Sequence, residues 1–317
     1  MAEGETTQTP AKAPASTRVR PGAHAILSTP FTADEALDEE GLGRLAAFYE
    51  RCGAQSLVVL AVMGEGAKLD DAERDRAVRA VLAGRRRTPV CVGVSAPAAR
   101  LVRLRIDAAA ALGAESVLLA PSMGMDGEAI VALFREAGRC GVPIVLQDHP
   151  QSSGVAMPAS LIGRILGDVE AVEGVKNEAP PSAVKAAQVL AAAPGRAFTL
   201  LGGLGALSLL DELDSGSHGT MTGFAFPEVL TALVDAYAAG RRDRARALYE
   251  AFLPWLVFEA TAVVSLAIRK EFLRLRGLVG TATVRGPGGG LAPGLARRAE
   301  ELHRAFAPLA DSLGLVL

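Results

Sequence analysis

Lys176 is the residue best placed to do chemistry in this 317-residue chain, because it lies in the apolar stretch from Val172 to Glu178, which is typical of a buried strand. Burial disfavours an ammonium ion, so an amine in such a setting can act as a neutral nucleophile near pH 7. A nucleophilic amine forms a Schiff base with a carbonyl substrate. The alternative is a lysine near a strand end that reaches solvent or pairs with Glu173 or Glu178.

Residues that bind metals or form disulfides are sparse and scattered. The three cysteines, Cys52, Cys91 and Cys140, are far apart, so neither a disulfide framework nor a metal-ligand spacing follows. None of the four histidines is paired at ligand spacing with another histidine or a cysteine. We therefore expect no metal and no resident cofactor.

Composition limits the classes of partner. A net charge of −2 indicates no basic surface for nucleic acid or for an anionic membrane. No apolar run approaches the roughly 20 residues that span a bilayer, and the N-terminus lacks an apolar signal core, so we expect a cytoplasmic protein. With 50% hydrophobic residues, the chain can form one large α/β barrel or two ordinary domains.

Short apolar runs alternate with helical patterns from His24 onward. Their nearly continuous hydrophobicity is typical of a parallel sheet covered on both faces. The predicted strands are Ala25–Phe31, Ser56–Met63, Pro89–Ser95, Ser116–Ser122, Pro143–Asp148, Val172–Lys176, Phe198–Gly203 and Gly219–Phe224.

The segments between these strands carry helix signals. Asp38 is a candidate N-cap, and Asp70 and Glu73 have the spacing of a capping box. Further helices are predicted at Pro97–Leu112, Glu128–Arg139, Pro158–Leu166, Pro180–Ala193, Leu204–Leu213, Glu228–Ala239, Asp243–Phe252, Trp255–Arg276 and Leu295–Phe306.

Eight alternating units favour a (β/α)8 TIM barrel over an open doubly wound sheet. No GxGxxG pattern follows the first strand, which removes the main support for a dinucleotide-binding fold. We predict a flexible tail at residues 1–21, the barrel at 22–226, and a C-terminal helical region at 227–317 that serves packing or oligomer contacts.

On the barrel interpretation Lys176 lies at the carboxyl end of the sixth strand, where barrel enzymes place their active sites. From about Ala23 to Arg276 the chain resembles the dihydrodipicolinate synthase and N-acetylneuraminate lyase family of class I aldolases. The shared marks are Thr29-Pro30-Phe31, Gly64-Glu65 with Leu69 and Glu73-Arg74, Pro150 and Gly154, Gly174-Val175-Lys176, and Gly219 with Pro227.

The resemblance implies that Lys176 forms the imine with a 2-oxo acid such as pyruvate. It also implies that the loop with Val62, Met63 and Gly64 contacts the substrate, although two threonines of the family are here Val62 and Met63. The family's proton-shuttling tyrosine is replaced by Gln147, and its substrate-binding arginine by Ser152. These departures argue against dihydrodipicolinate synthesis itself.

Other groups must therefore move protons. Asp148, His149 and Glu65 are the candidate catalytic residues; their alternatives are a turn-forming carboxylate, a solvent-facing imidazole and a surface charge. Gly202 and Gly203 are predicted to let a substrate approach the backbone, or else simply to form a turn. Thr222 is predicted to donate to a carboxylate, or else to be an ordinary strand residue.

Three functions remain open. The leading hypothesis is a lyase that makes or breaks a C–C bond next to a 2-oxo acid through the Lys176 imine. The second uses the same imine for dehydration or deamination of a 2-oxo sugar acid or a cyclic imino acid. The third is a non-catalytic binding protein on the same fold. Because relatives are commonly tetramers, we expect a homo-oligomer, at least a dimer.

Overall fold

Eight parallel strands alternate with helices and close into a barrel, which confirms the predicted fold. The computed structural model of the protein describes residues 17–286 and 290–315. The strands are β1 (Gly22–Ile26), β2 (Ser56–Val59), β3 (Val90–Gly93), β4 (Ser116–Leu119), β5 (Ile144–Asp148), β6 (Val172–Asn177), β7 (Thr199–Leu201) and β8 (Gly219–Thr222). They pair in the order β7-β6-β5-β4-β3-β2-β1-β8, and a parallel bridge between Gly202 and Thr220 joins β7 to β8.

The helices follow the predicted capping signals. The Asp38 side chain accepts a hydrogen bond from the Gly41 N–H over 2.8 Å, and Asp70 and Glu73 form the capping box. Short 3-10 turns occur at Val62–Gly64, Gly66–Lys68 and Leu204–Ala206. The α-helices are α1 (Glu39–Arg51), α2 (Asp71–Gly84), α3 (Ala99–Leu112), α4 (Gly127–Gly138), α5 (Pro150–Ser153), α6 (Ala159–Asp168), α7 (Ser182–Ala192), α8 (Leu209–Asp214), α9 (Pro227–Ala238), α10 (Arg242–Glu259), α11 (Ser265–Leu275) and α12 (Pro293–Ser312).

The N-terminal segment is partly built into the barrel. Val19 is 5% exposed and packs in the apolar cluster inside the barrel, with Val145 and Leu201 among its members. The Arg18 guanidinium pairs with Glu173 over 2.5 Å. Residues 1–16 of the predicted tail lie outside the described residues, but Thr17, Arg18 and Val19 contact the barrel, which corrects the prediction of a flexible tail for these residues.

The helices after β8 divide differently from the prediction. Helix α9 packs against β1 and serves as the helix of the eighth βα unit. Helix α10 continues through Pro254, where the sequence suggested a break, and ends at Glu259. Helix α10 is held against α12 at this point, since the neighbouring Trp255 donates its indole N–H to the Leu302 carbonyl over 3.1 Å. Helices α10 and α11 both contribute residues to a cavity at the carboxyl end of the strands.

Candidate functional site

Lys176, Gln147 and Glu178 meet at the carboxyl end of the barrel. Gln147 on β5 lies opposite Lys176 on β6, and side chains two residues apart along a strand share a face, so Glu178 points the same way as Lys176. Lys176 Nζ lies 2.7 Å from Glu178 Oε2, and the Gln147 amide donates to the same oxygen over 2.8 Å. The Leu204 N–H donates to Oε1 over 3.2 Å. The lysine therefore has a fixed carboxylate as its direct neighbour.

Burial and charge act in opposite directions on Glu178. Loss of water raises the pKa of its carboxyl group, but Lys176, His149 and the Gln147 amide stabilise the anion, and the pKa settles below its ordinary value. The Lys176 side chain is itself only 4% exposed. An amine and a carboxylate in contact and shielded from water can exchange a proton.

Two glycines after β7 make room for carboxylates. A Cβ atom on Gly203 would collide with the Glu178 side chain, and one on Gly202 would collide with the carboxylate of Glu212 from α8. Neither glycine is among the residues that line the cavity beside Lys176. Their predicted contact with substrate stays a prediction; what the structure shows is that Gly203 lets Glu178 approach the strand.

The two ionisable residues at the end of β5 lie on different sides of the sheet. Asp148 pairs with Asn177, so its buried side chain points toward the helices, where Oδ2 lies 3.3 Å from Lys185 Nζ of α7. Burial raises the pKa of the Asp148 carboxyl group, although Lys185 opposes this. His149 instead lines the cavity, and burial lowers the pKa of its imidazole. Only His149 of this predicted pair is brought close to Lys176.

The loop after β2 contributes its apolar side chains to the cavity. Val62 and Met63 line it, as the resemblance implied, and Val62 is half exposed. Gly64 is buried: its carbonyl accepts a hydrogen bond from the Thr29 hydroxyl over 2.6 Å, and it is not a lining residue. This wall of the cavity is therefore apolar in its side chains.

Glu65 belongs to an ionic network that holds the C-terminal segment. One of its oxygens contacts Lys270 of α11, and the other accepts from Lys68 Nζ and from the Arg285 N–H, each over 3.0 Å. Lys270 is buried, and burial lowers the pKa of its amine to about 8 against the opposing effect of Glu65. Glu65 borders an adjacent cavity rather than the one beside Lys176.

The cavity beside Lys176 has a volume of about 560 Å³, a size suited to a small molecule. Thr222, predicted to bind substrate, lies in its wall, and its hydroxyl accepts from the Gly205 N–H over 3.1 Å. Glu259 of α10 and Arg269 of α11 line the same wall. Among the described residues no tyrosine lines this cavity; Tyr49, for example, donates its hydroxyl hydrogen to the Phe224 carbonyl.

Sequence reasoning did not assign a function to Glu178, Glu259 or Arg269. The spacing of Lys176 and Glu178 was a usable signal, since residues i and i+2 of a strand share a face. No such signal exists for Glu259 and Arg269, because they reach the site only when α10 and α11 fold back over the barrel.

Residues 21–301 match the model of the dihydrodipicolinate synthetase family. The chain belongs to this family. The resemblance read from the sequence is thus confirmed, and the protein is a lyase of the dihydrodipicolinate synthetase family. Among the described helices, none combines the length and the apolar character needed to cross a membrane.

Relatives within the family differ in reaction. The L-2-keto-3-deoxyarabonate dehydratase of Azospirillum brasilense is 29% identical over 297 residues, which are 91% of this chain and 95% of that protein. The 4-hydroxy-tetrahydrodipicolinate synthase of Acidothermus cellulolyticus is 34% identical over 263 residues, 80% of this chain and 82% of the relative. The solved structure of dihydrodipicolinate synthase from Rhodopseudomonas palustris superposes with a TM-score of 0.85 at 32% identity, covering 90% of this chain and 97% of that one.

Proposed function

We propose that this protein is an imine-forming lyase that dehydrates a 2-oxo-3-deoxy sugar acid without a metal or cofactor. The observation that carries the proposal is the Glu178 carboxylate 2.7 Å from the Lys176 amine. A carboxylate at this place supplies the proton transfers for which the resemblance would have required a tyrosine. The relative named L-2-keto-3-deoxyarabonate dehydratase supports the choice of substrate class.

The first half of the reaction forms the imine. Glu178 takes a proton from the Lys176 ammonium, and the free amine attacks C2 of the 2-oxo acid. The C2 oxygen takes this proton from Glu178, the nitrogen gives Glu178 a second proton, and Glu178 donates that proton to the C2 hydroxyl, which leaves as water as the C=N bond forms. Gln147 has an amide that cannot titrate, so its hydrogen bond orients the Glu178 carboxylate throughout.

The second half uses the positive imine nitrogen as an electron sink. Loss of a proton from C3 to the Glu178 carboxylate gives an enamine, and the C4–O bond breaks as the hydroxyl leaves with a proton from the same residue or from His149. Hydrolysis of the resulting imine releases an unsaturated 2-oxo acid and regenerates Lys176. Overall, one substrate molecule gives one unsaturated 2-oxo acid and one water, with no change of oxidation state.

Position favours dehydration over C–C cleavage. Glu178 touches the nitrogen that becomes bonded to C2, which places it near C3, the carbon that loses its proton in a dehydration. Cleavage needs a base at the C4 hydroxyl, one carbon further from the lysine. C–C cleavage, the leading hypothesis from the sequence, is accordingly the second candidate and the main competing outcome of the test.

The test is product analysis with a 2-oxo-3-deoxy pentonic acid in the presence of EDTA. We expect a product that retains every carbon and has lost one water, no pyruvate, and a borohydride-stable adduct on Lys176 by peptide mass spectrometry. Release of pyruvate with a second carbonyl compound would establish cleavage instead. Failure of several 2-oxo acids to give any adduct would leave a binding protein as the remaining interpretation.

A further inference from the structure

A buried ion pair from the C-terminal helices forms part of the cavity wall. Glu259 and Arg269 have side chains only 2% and 4% exposed, and Arg269 Nε lies 2.5 Å from Glu259 Oε1. The second oxygen of Glu259 accepts a hydrogen bond from the Ala225 N–H over 3.0 Å. Both oxygens of the Glu259 carboxylate therefore accept hydrogen bonds from the protein.

Arg269 is not satisfied in the same way. Its Nη1 is buried and has no hydrogen-bond partner among residues 17–286 and 290–315. The nitrogen lies against the backbone of Gly223 just after β8, where a Cβ atom would collide with it. Buried donors are nearly always paired, because an unmade hydrogen bond in a site without water costs the full desolvation of the group. Arg269 lines the cavity, so its guanidinium group, which carries this unpaired N–H, is a place for a ligand oxygen.

The chemistry of the pair selects the kind of oxygen. Arginine only donates, so the ligand atom must accept. The charge of Arg269 is already neutralised by Glu259, and a ligand carboxylate there would stand next to the Glu259 anion. A neutral hydroxyl oxygen accepts from the Arg269 guanidinium without this repulsion.

The position in the cavity identifies which hydroxyl. Lys176 and Glu178 come from the β6 side, whereas Arg269 and Gly223 lie at the end of β8, and all four line the same cavity. We propose that Arg269, held by Glu259, binds the hydroxyl at the far end of the sugar acid and so selects substrates with a polar tail. The inference rests on the proposed function, because it takes C2 of the substrate to be attached to Lys176.

The experiment compares three 2-oxo acids that share the C4 hydroxyl. The first is 2-oxo-3-deoxypentonate, which has a terminal hydroxyl; the second, 4-hydroxy-2-oxopentanoate, ends in a methyl group; the third, 4-hydroxy-2-oxoglutarate, ends in a carboxylate. The readout is the concentration that gives half-maximal borohydride trapping, which does not require turnover. We expect the half-maximal concentration of the compound with the terminal hydroxyl to be at least about tenfold lower than that of either analogue.

Arg269→Lys and Gly223→Ala should remove this discrimination, the first by losing the planar guanidinium and the second by displacing Nη1. Maximal trapping with pyruvate, which has no tail, should persist in both variants. The matched control is Arg276→Lys: Arg276 pairs with Glu228 over 2.6 Å and contacts the same loop after β8, but it does not line the cavity. We expect Arg276→Lys to keep the wild-type discrimination, with melting temperatures recorded for all variants.

Several results would overturn the inference. Equal half-maximal concentrations for the hydroxyl and methyl compounds in the wild type would show that the protein does not recognise the terminal hydroxyl. A preference for the carboxylate compound would show that the pair recognises an anion. Unchanged discrimination in both Arg269→Lys and Gly223→Ala would show that other residues recognise the terminal hydroxyl. The proposed imine on Lys176 would be unaffected by that result. No trapping with any compound, pyruvate included, would overturn the proposed function and this inference together.

Discussion

Lys176 is stabilised in the barrel by the residue that we propose as its proton partner. Replacing Lys176 by Met should abolish both the borohydride adduct and turnover. It should also lower the melting temperature, because the Glu178 carboxylate is left buried without its cation, a loss that typically costs about 3–5 kcal/mol. The double variant Lys176→Met with Glu178→Gln should recover part of that stability. A borohydride adduct that survives in Lys176→Met would refute the imine mechanism. The control is Lys185→Met, on the outer side of the sheet, which should still form the adduct on Lys176.

Glu178 is expected to account for most of the proton transfer. Glu178→Gln keeps the shape of the side chain but cannot titrate, so kcat should fall by about 10²-fold or more, the usual scale for a lost general acid or base, while slow trapping persists. The control is Asp148→Asn, whose carboxylate faces Lys185 rather than the cavity. His149→Ala tests the remaining candidate in the cavity wall. A near-normal kcat in Glu178→Gln would refute this assignment.

The pH profile offers an independent check on Glu178. Its pKa lies below the ordinary value, so the carboxylate remains ionised as the pH falls through the usual range of glutamate. Activity should therefore decline only at a more acid pH, as the lowered pKa is crossed, and Glu178→Gln should lack that acidic limb. If activity of Glu178→Gln declines at the same acid pH as in the wild type, the acidic limb reports the titration of another group.

Lys176 stood out in the sequence because it lies in an apolar strand, and the family resemblance then marked both Lys176 and Gln147. Glu178 was noted only as a possible ion-pair partner, since nothing in a single sequence shows that Gly203 leaves space for its carboxylate. Asp148 and His149 looked equivalent in sequence, and strand alternation separates them. Glu259 and Arg269 were missed because they reach the cavity only through the packing of α10 and α11.

At the scale of elements, apolar runs and capping residues predicted the eight strands and most helices, because each signal is local. The helix break predicted at Pro254 is wrong, because α10 is held by the packing of Trp255 and Phe252 against α12, which is a long-range property.

Glu65 ties three elements together, and we expect its removal to affect stability more than catalysis. Glu65→Gln keeps a hydrogen-bonding side chain but removes the charge that compensates the buried Lys270. The melting temperature should fall by several degrees, roughly the effect of 2–3 kcal/mol, with kcat changed by less than about tenfold. Thermal unfolding and kinetics on the same preparation separate these effects. A large drop in kcat without loss of stability would return Glu65 to the catalytic role predicted from the sequence.

Glu212 on α8 makes the stability of the fold depend on pH. Burial raises the pKa of its carboxyl group to about 7. A carboxyl group with a raised pKa favours the folded state fully below the unfolded pKa, and this contribution is lost as the pH rises through the folded value. Glu212→Gln should therefore be more stable than the wild type at pH 8, by about 2–3 kcal/mol, and nearly equal to it at pH 4.5. Denaturant unfolding at both pH values measures this, with the exposed Glu250→Gln as control; equal stability at pH 8 would contradict it.

For the whole molecule, the C-terminal helices serve the site more than the sequence suggested. The C-terminal helical region was expected to serve packing or oligomer contacts, and its apolar stretch from Phe252 to Phe258 is the part to examine. Phe252, Trp255 and Leu256 are buried within the chain, and Phe306 of α12 packs against Phe252 and Trp255, whereas Val257 is 55% exposed. This stretch therefore packs mainly within the chain.

Self-association stays a prediction, and the exposed apolar side chains near α3 and after β4 are now its basis. Leu101 and Leu104 of α3 are 42% and 52% exposed, and Met123 is 79% exposed. Exposed large apolar groups that cluster on a surface are commonly covered by a partner subunit. We expect at least a dimer in sedimentation velocity at micromolar concentration, and a shift toward monomer in a Leu104→Glu and Met123→Glu double variant.

The matched control is Val184→Glu, an exposed apolar position on α7 at 54% exposure, which should leave the sedimentation coefficient unchanged. A wild-type monomer would show that these side chains are simply solvated, and dissociation by Val184→Glu alone would place the contact on the other side of the barrel.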